Sequence, residues 1–262
     1  MASLIKRIKL AKMRGLWRLY LAVRFAQGHD TERFSPFGIP VRIPASRELE
    51  LRYNLARGAP YEVPEGRMVQ AYLPKGLNVI ELGGCFGVIS AVIRRSIGPE
   101  ALHIIVEADP DLARLCLENG SIGARPDRTQ VVAAAVDYSG RATVTFSQGH
   151  NANVGHLAKA GEAGLTVPTV TLAKLAQRLP EGAFGLVCDI EGAEAAMFAA
   201  ETTLLNRIAV IILETHPQAY AEGTAALNRI TNQIHTAGFD RVDVEDAVMA
   251  FVRPDAGPAA VG

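Results

Sequence analysis

Val79-Ile80-Glu81-Leu82-Gly83-Gly84-Cys85-Phe86-Gly87 is the stretch from which the fold is read. An apolar run from Leu77 to Leu82 breaks into three glycines within five positions, and from Val88 the apolar residues return at helical spacing. The order is a buried strand, a tight glycine loop and a helix start. In an open parallel sheet, that order sets backbone N–H groups and the positive end of a helix dipole at the carboxyl edge of the strands, where a cofactor binds. Glycine lets the backbone approach a ligand with no Cβ in the way.

The spacing separates two nucleotide-binding classes. A dinucleotide loop, Gly-x-Gly-x-x-Gly, needs glycine at position 82 if it ends at Gly87, and that position is Leu82; begun at Gly83, it meets Cys85 and Val88. The pattern acid-x-Gly-x-Gly-x-Gly fits better, as Glu81, Gly83, Cys85 and Gly87, with Cys85 in place of one glycine. It resembles motif I of the S-adenosylmethionine-dependent methyltransferases, in which the acid reaches the amino group of the cofactor's methionine part. A plain glycine turn between a core strand and a helix has the same letters, so the loop alone leaves both readings open.

The rest of the chain extends the alternation of strand and helix. Leu102 to Val106 is a second apolar strand, ending in Glu107-Ala108-Asp109-Pro110. An acid about twenty residues past a glycine loop is placed to accept hydrogen bonds from both hydroxyls of a ribose, in dinucleotide and S-adenosylmethionine folds alike. Pro110 opens a helix over 111–119. Val131 to Val136 is a third strand closed by Asp137, with its end beside an adenine. Ala142 to Ser147 alternates and Leu165 to Leu172 is extended. Between them the polar, glycine-rich segment 148–164, with His150, Asn151, Asn153 and His156, reads as a β-excursion with a mobile loop.

Leu186-Val187-Cys188-Asp189-Ile190-Glu191-Gly192-Ala193-Glu194 is a buried strand that runs into three acids around a glycine. Carboxylates at a sheet's carboxyl end cost desolvation unless something binds them. Asp189, at the strand tip, reads as functional. Glu191 and Glu194 also suit the positive end of a helix, and for Glu194 both roles stay open. Ala209 to Leu213 is a fifth strand ending in Glu214-Thr215-His216-Pro217. A helix over 225–236 and a closing hairpin, 241–244 with 248–252, complete the pattern.

Composition sets bounds. At 262 residues the chain holds one large α/β domain with an N-terminal extension. Its 27 basic and 27 acidic residues cancel, which gives no overall bias toward nucleic acid. The three cysteines, Cys85, Cys116 and Cys188, are scattered, without metal-ligand spacing or a disulfide framework, and fit a reducing compartment such as the cytoplasm. There is no apolar run of transmembrane length and no cleavable signal. Residues 1–28 carry seven lysines and arginines and no acid, interleaved with apolar residues. They form one or two basic amphipathic helices, which pack on their own domain or meet a membrane surface or partner; the first is the commoner outcome. Residues 34–44 read as a linker or small hairpin around Val41-Arg42-Ile43. Three regions are expected: an extension and linker over 1–60, the main domain over 61–254 and a flexible tail over 255–262.

These pieces resemble the FkbM family of S-adenosylmethionine-dependent methyltransferases, from about Tyr61 to Pro254. Tyr61-Glu62 precedes the first strand. The family's Asp-x-Gly-Ala-Asn-x-Gly-x-x-Ser appears as Glu81, Gly83, Gly84, Cys85, Gly87 and Ser90. Glu107-Ala108-Asp109-Pro110, Leu117-Glu118-Asn119 and Ala135-Val136-Asp137 with Gly140 follow in order. The string Asp189-Ile190-Glu191-Gly192-Ala193-Glu194 is intact, and Ile212-Leu213-Glu214 with His216 matches the fifth strand. Glu81, Gly84 and Cys85 stand where Asp, Ala and Asn are usual, and Ala173 stands where an acid often follows Thr171-Leu172. The resemblance implies a Rossmann-like sheet of seven mostly parallel strands with a reversed last strand. It implies S-adenosylmethionine as cofactor, held by Glu81, Gly83, Gly84, Cys85, Phe86, Gly87, Ser90, Glu107, Ala108, Asp109, Val136, Asp137, Asp189 and Glu191. It also implies methyl transfer to an oxygen on a saccharide, glycolipid or natural product.

An alcohol is a poor nucleophile, so a base or a metal must help. The base reading takes His216, with Asp189 in support and Glu214 beside them, and needs no metal. A metal variant would place Mg²⁺ on Asp189, Glu191 and Glu214. Two other classes compete: a nicotinamide-dependent oxidoreductase, against which Leu82 counts, and a non-catalytic module acting through residues 1–28.

Overall fold

The computed structural model describes residues 15–23, 26, 31–44, 49–56, 58–147, 155–158 and 162–254. The chain divides into two units, Met1–Tyr61 and Glu62–Gly262. In the first, residues 15–23 are helical (α1). β1 (Thr31–Phe34) and β2 (Val41–Pro44) pair antiparallel, so Val41-Arg42-Ile43 lies in a hairpin, with Phe34, Val41 and Ile43 buried. α2 (Leu49–Ala56) was not anticipated, because its apolar and polar residues are mixed around the helix and leave no periodic signal. The remainder of the basic stretch, the tail 255–262, and His150, Asn151 and Asn153 lie outside the described residues.

In the second unit the apolar runs become the middle of a sheet. β3 (Val79–Leu82), β4 (His103–Glu107) and β10 (Phe184–Cys188) are buried at every position. Strands covered on both faces belong in a parallel sheet between helical layers. β5 (Thr129–Ala133), β11 (Ile208–Glu214), β12 (Asp240–Glu245) and β13 (Val248–Val252) complete seven strands in the order β12-β13-β11-β10-β3-β4-β5. β13 pairs antiparallel with both β11 and β12, and β11, β10, β3, β4 and β5 pair parallel. The expected Rossmann-like sheet with a reversed strand is present.

Side chains alternate across the sheet. Ile80, Leu82, Ile104, Val106, Leu186, Ile211 and Leu213 share a core with α6 (Leu172–Ala176), α7 (Glu194–Ala200) and α8 (Thr224–Thr236). The opposite face meets α3 (Val63–Tyr72), α4 (Val88–Ile97) and α5 (Pro110–Gly120). α3 begins directly after Glu62, whose backbone is left-handed. α4 runs between Gly87 and Gly98, both at positive φ.

The third strand differs from expectation. Residues 131–136 are two strands, broken at Ala134, whose N–H bonds the Glu107 carbonyl. The first part is edge strand β5. The second, β6 (Ala135–Val136), leaves the main sheet to pair with β9 (Leu165–Val170) in a four-strand sheet β6-β9-β7-β8, with β7 (Thr143–Ser147) and β8 (His156–Leu157). An edge strand has no second neighbour to hold it, so the chain is free to bend there. The bend carries the excursion over the carboxyl end of the main sheet.

Candidate functional site

The carboxyl ends of β3, β4 and β10 open into a cleft that is continuous with solvent. Its floor is the glycine loop. The loop follows its course because the Asp189 N–H bonds the Leu82 carbonyl at 2.8 Å, and a Cβ on Gly83 (φ 88°) would overlap the Asp189 carbonyl oxygen. Gly87 closes the turn through its N–H to the Gly84 carbonyl at 2.7 Å, and a Cβ there would meet the backbone of Cys116 at 2.9 Å. Cys85 also has positive φ, 47°, a region that Asn tolerates better. Its N–H is held by Glu107 Oε2 at 2.8 Å.

Glu107 therefore ties the first loop to the second strand end. Its other oxygen accepts from the Asp109 N–H at 2.8 Å, and the carboxyl faces the cleft. Burial pushes its pKa up to about 7, against the pull of the two N–H groups. Of the residues expected to hold a cofactor, Gly83, Cys85, Glu107, Ala108, Val136, Asp189 and Glu191 line this cleft.

The structure places the other seven behind the wall. Glu81 points away from the cleft, on the face opposite Ile80 and Leu82, and is 1% exposed. Its Oε1 accepts from Ser90 Oγ at 2.8 Å and its Oε2 stands 2.8 Å from His103 Nε2, so the carboxylate lies in the interior and outside the cleft lining. Ser90, with no exposed surface, is its partner. Gly84 packs on Cys116 and Ile105, and Phe86 is buried, with its carbonyl held by Asn119 Nδ2 at 2.7 Å. Gly87 is the cap of α4. Asp109 caps α5, accepting from the N–H groups of Asp111 and Leu112. Asp137 accepts from the N–H and hydroxyl of Ser139. A strand-end acid followed by Pro reads equally as a helix cap, and one with Ser two positions on as a turn, and geometry alone separates the roles.

The sequence reading omitted several lining residues. Phe146, His156 and Leu157 come from the excursion, Ile190 and Ala193 from the loop after β10, and Glu62 from the cap of α3. Glu62 carried a signal in the pair Tyr61-Glu62, Ile190 and Ala193 in the string 189–194, and His156 in the polar segment 148–164, whereas Phe146 and Leu157 carried none.

At the β10 end the site becomes acidic. His216, 6% exposed, lies among Glu194 Oε1 (2.8 Å from Nδ1), Asp189 Oδ1 (3.5 Å from Nε2), Glu191 Oε2 (3.4 Å) and Glu214 Oε1 (3.9 Å). β10 and β11 are parallel neighbours, so their tips, Asp189 and Glu214, come side by side with His216 beyond. Glu194 is fully buried. Its Oε2 accepts from the Gly192 N–H at 2.8 Å and its Oε1 from the Ile190 N–H at 3.3 Å. It thus shapes the loop after β10, where Glu191 has φ 50°, and orients the imidazole.

The electrostatics follow from the crowding. Burial raises the pKa of Asp189, Glu191 and Glu214, and their repulsion adds to it while His216 opposes it. For His216 burial works against the charged ring, but the hydrogen bond and charge of Glu194, then Asp189 and Glu191, outweigh it and lift the pKa to about 9. Glu65, buried on α3 and repelled by Glu62, Asp189 and Glu214, is also raised. The metal variant named Glu214; among the described residues the three ligand atoms that converge belong to Asp189, Glu191 and His216.

Comparison with known proteins adds to this geometry. The family model described as "Methyltransferase FkbM domain" matches residues 81–241. A comparison with curated proteins finds no match. Among solved structures, an O-methyltransferase from Bacillus cereus in complex with SAH aligns at 16% identity and TM-score 0.45, over 77% of this chain and 88% of that one. A TehB-like SAM-dependent methyltransferase from Corynebacterium glutamicum aligns at 12% and 0.40, over 78% and 95%. Fibrillarin from Aeropyrum pernix with natively bound S-adenosyl-L-methionine aligns at 15% and 0.40, over 73% of each chain.

Proposed function

The chain belongs to the methyltransferase FkbM domain family, and on that premise we propose that it transfers the methyl group of S-adenosylmethionine to a hydroxyl on a saccharide, glycolipid or natural product. One observation carries the reading: a single cleft has the Gly83–Cys85 loop and the Glu107 carboxyl on one side and Asp189 and Glu191, backed by His216, on the other. The residues suit the cofactor. Glu107 lines the cleft at the end of β4, where the motif reading expects a ribose, and the close approach of Gly83 to the Asp189 carbonyl, which excludes a side chain there, holds the loop against the tip of β10.

When bound, the cofactor supplies an electrophilic methyl on a good leaving group. The protein's work is then to hold the acceptor in line and take its proton. Glu194 fixes the His216 ring through Nδ1, which turns Nε2 toward Asp189 and Glu191 at the cleft wall. A hydroxyl proton leaving the acceptor has His216 Nε2 and the Asp189 and Glu214 carboxylates as takers. His216 serves as a base only after losing the proton that its acidic surroundings favour, so the mechanism places activity at neutral to alkaline pH.

The acceptor is selected by the excursion, through Phe146, His156 and Leu157, whose apolar and imidazole surfaces suit a sugar ring or a polyketide-like face better than a phosphate chain. Membrane contact is supported at α1, where Leu16, Leu19, Tyr20 and Val23 are exposed at i, i+3, i+4 and i+7 within a stretch rich in Lys and Arg. Among the described residues no helix is long and apolar enough to cross a membrane.

The deciding experiment incubates the full chain with methyl-labelled S-adenosylmethionine and a panel of hydroxylated saccharides, glycolipids and polyketides, with mass detection. A gain of one methyl on an oxygen supports the reading. Failure to bind S-adenosylhomocysteine in calorimetry, with NAD bound instead, sinks it.

A further inference from the structure

Three side chains from two neighbouring strand ends aim ligand atoms at one point. One atom each from Asp189, Glu191 and His216 lies within 4.8 Å of the others. His216 Nε2 is 3.5 Å from Asp189 Oδ1 and 3.4 Å from Glu191 Oε2. Two further observations separate this cluster from an ordinary group of acids. Glu194, fully buried and braced by the Gly192 N–H, takes His216 Nδ1 at 2.8 Å. A carboxylate bonded to the far nitrogen of an imidazole is the usual outer support of a metal-binding histidine, because it fixes the tautomer and the ring plane. Also, Asp189 Oδ1 is sealed from solvent and accepts no hydrogen bond among the described residues. A buried carboxylate oxygen with no donor is a costly arrangement that a cation relieves.

We propose that Asp189, Glu191 and His216 form a site for a divalent cation of the Mg²⁺/Mn²⁺ type, which holds the oxygen of the methyl acceptor. Two carboxylate oxygens and one imidazole nitrogen are donors for a hard to borderline ion. Octahedral bonds of about 2.1 Å put neighbouring ligand atoms about 3.0 Å apart, so His216 Nε2 has to close on Asp189 Oδ1 and Glu191 Oε2 by about half an ångström each, and the two carboxylates, within 4.8 Å of each other, close by rotating their side chains. Three protein ligands leave three positions for the acceptor hydroxyl and water. Glu191 faces the cleft, which puts the open positions on the acceptor's side.

The role in catalysis rests on the methyltransferase reading, whereas the binding itself does not. With the ion in place His216 is a ligand and no longer the base. The ion polarises the acceptor O–H. Its proton passes to Glu214, whose Oε1 is 3.9 Å from His216 Nε2, as the new C–O bond forms and the methyl–sulfur bond breaks.

The test uses the full chain, stripped with chelator and titrated with MnCl₂ while free Mn²⁺ is read by electron paramagnetic resonance. One Mn²⁺ per chain, bound at or below about 100 µM and weakened at least tenfold by Asp189→Asn and by Glu191→Gln, supports the site. Ring proton signals of wild-type His216 should broaden at lower Mn²⁺ than those of His103 and His235, a readout that needs no variant to fold. No saturable binding below about 1 mM, or binding that both substitutions leave unchanged, overturns the proposal. S-adenosylhomocysteine is titrated in parallel by calorimetry. If it binds and Mn²⁺ does not, the cation site fails and the methyltransferase reading stands; if Mn²⁺ binds and it does not, the reverse holds.

Discussion

Glu194 Oε1 and His216 Nδ1 meet at 2.8 Å, joining a fully buried carboxylate at the start of one helix to an imidazole beyond the tip of the neighbouring strand. The pair sets both the orientation and the charge of the histidine whose Nε2 stands beside Asp189 and Glu191. Glu194→Gln keeps the size and removes the charge. The pKa of His216, lifted to about 9 in the wild type, should fall by at least about one unit, read by NMR titration of the ring. Because the folded pKa lies above the usual 6.5, the group's contribution to stability is complete below about pH 6.5 and is lost as pH rises through about 9. Melting temperatures of wild type and variant should therefore converge at alkaline pH. An unmoved His216 pKa would remove Glu194 from the mechanism.

His216→Asn should lower methyl transfer by about 10²- to 10⁴-fold, the range for loss of a group that activates a nucleophile. Affinity for S-adenosylhomocysteine should stay within about threefold, since Gly83, Cys85 and Glu107 are untouched. Parallel loss of affinity and rate would assign His216 to the cofactor instead.

Glu107 reports on cofactor binding through pH. Its pKa, near 7 by burial, means that below neutrality the free site holds a protonated carboxyl, which accepts hydrogen bonds from hydroxyl donors less well. S-adenosylhomocysteine should bind several-fold more weakly at pH 6 than at pH 8, by calorimetry. Glu107→Gln should bind weakly at both and show little of this dependence.

Gly83→Ala puts a methyl group onto the Asp189 carbonyl at a φ of 88°, a conformation that alanine resists. The strand ends must separate, so the expected loss is several kcal/mol of stability, on the order of 3 or more, together with cofactor binding. Gly140→Ala is the control. It shares a positive φ but meets nothing within 4 Å, so it should cost only about 1–2 kcal/mol by chemical denaturation.

Glu81→Gln separates the two roles of the motif acid. With its carboxylate on Ser90 and His103 in the interior, the variant should lose stability but bind S-adenosylhomocysteine within about threefold of wild type when folded. A tenfold or larger loss of affinity at unchanged melting temperature would return Glu81 to the cofactor.

Much of this protein is written locally in the chain. The helix over Val88–Ile97 is legible because glycines bracket it, and β3, β4, β10 and β11 are legible because strands buried on both faces are runs of mostly apolar residues. The order of strands and helices, with acids at the strand tips, also carries the family resemblance. Such signals depend on neighbours within a few residues, so the sequence alone states them.

What only the tertiary structure decided is which groups meet. Glu81, Glu107, Asp109 and Asp137 look alike as strand-end acids, yet one is locked in the interior, one lines the cleft, one caps a helix and one closes a turn on Ser139. Glu194 and His216 are 22 positions apart and pair because the parallel register of β10 and β11 brings their following loops together. Phe146 and His156 reach the cleft because the chain leaves the sheet edge at Ala134. A side chain's role depends on the face it takes and on the strand beside it, and both are set by sheet order and register, which no local pattern of residues contains.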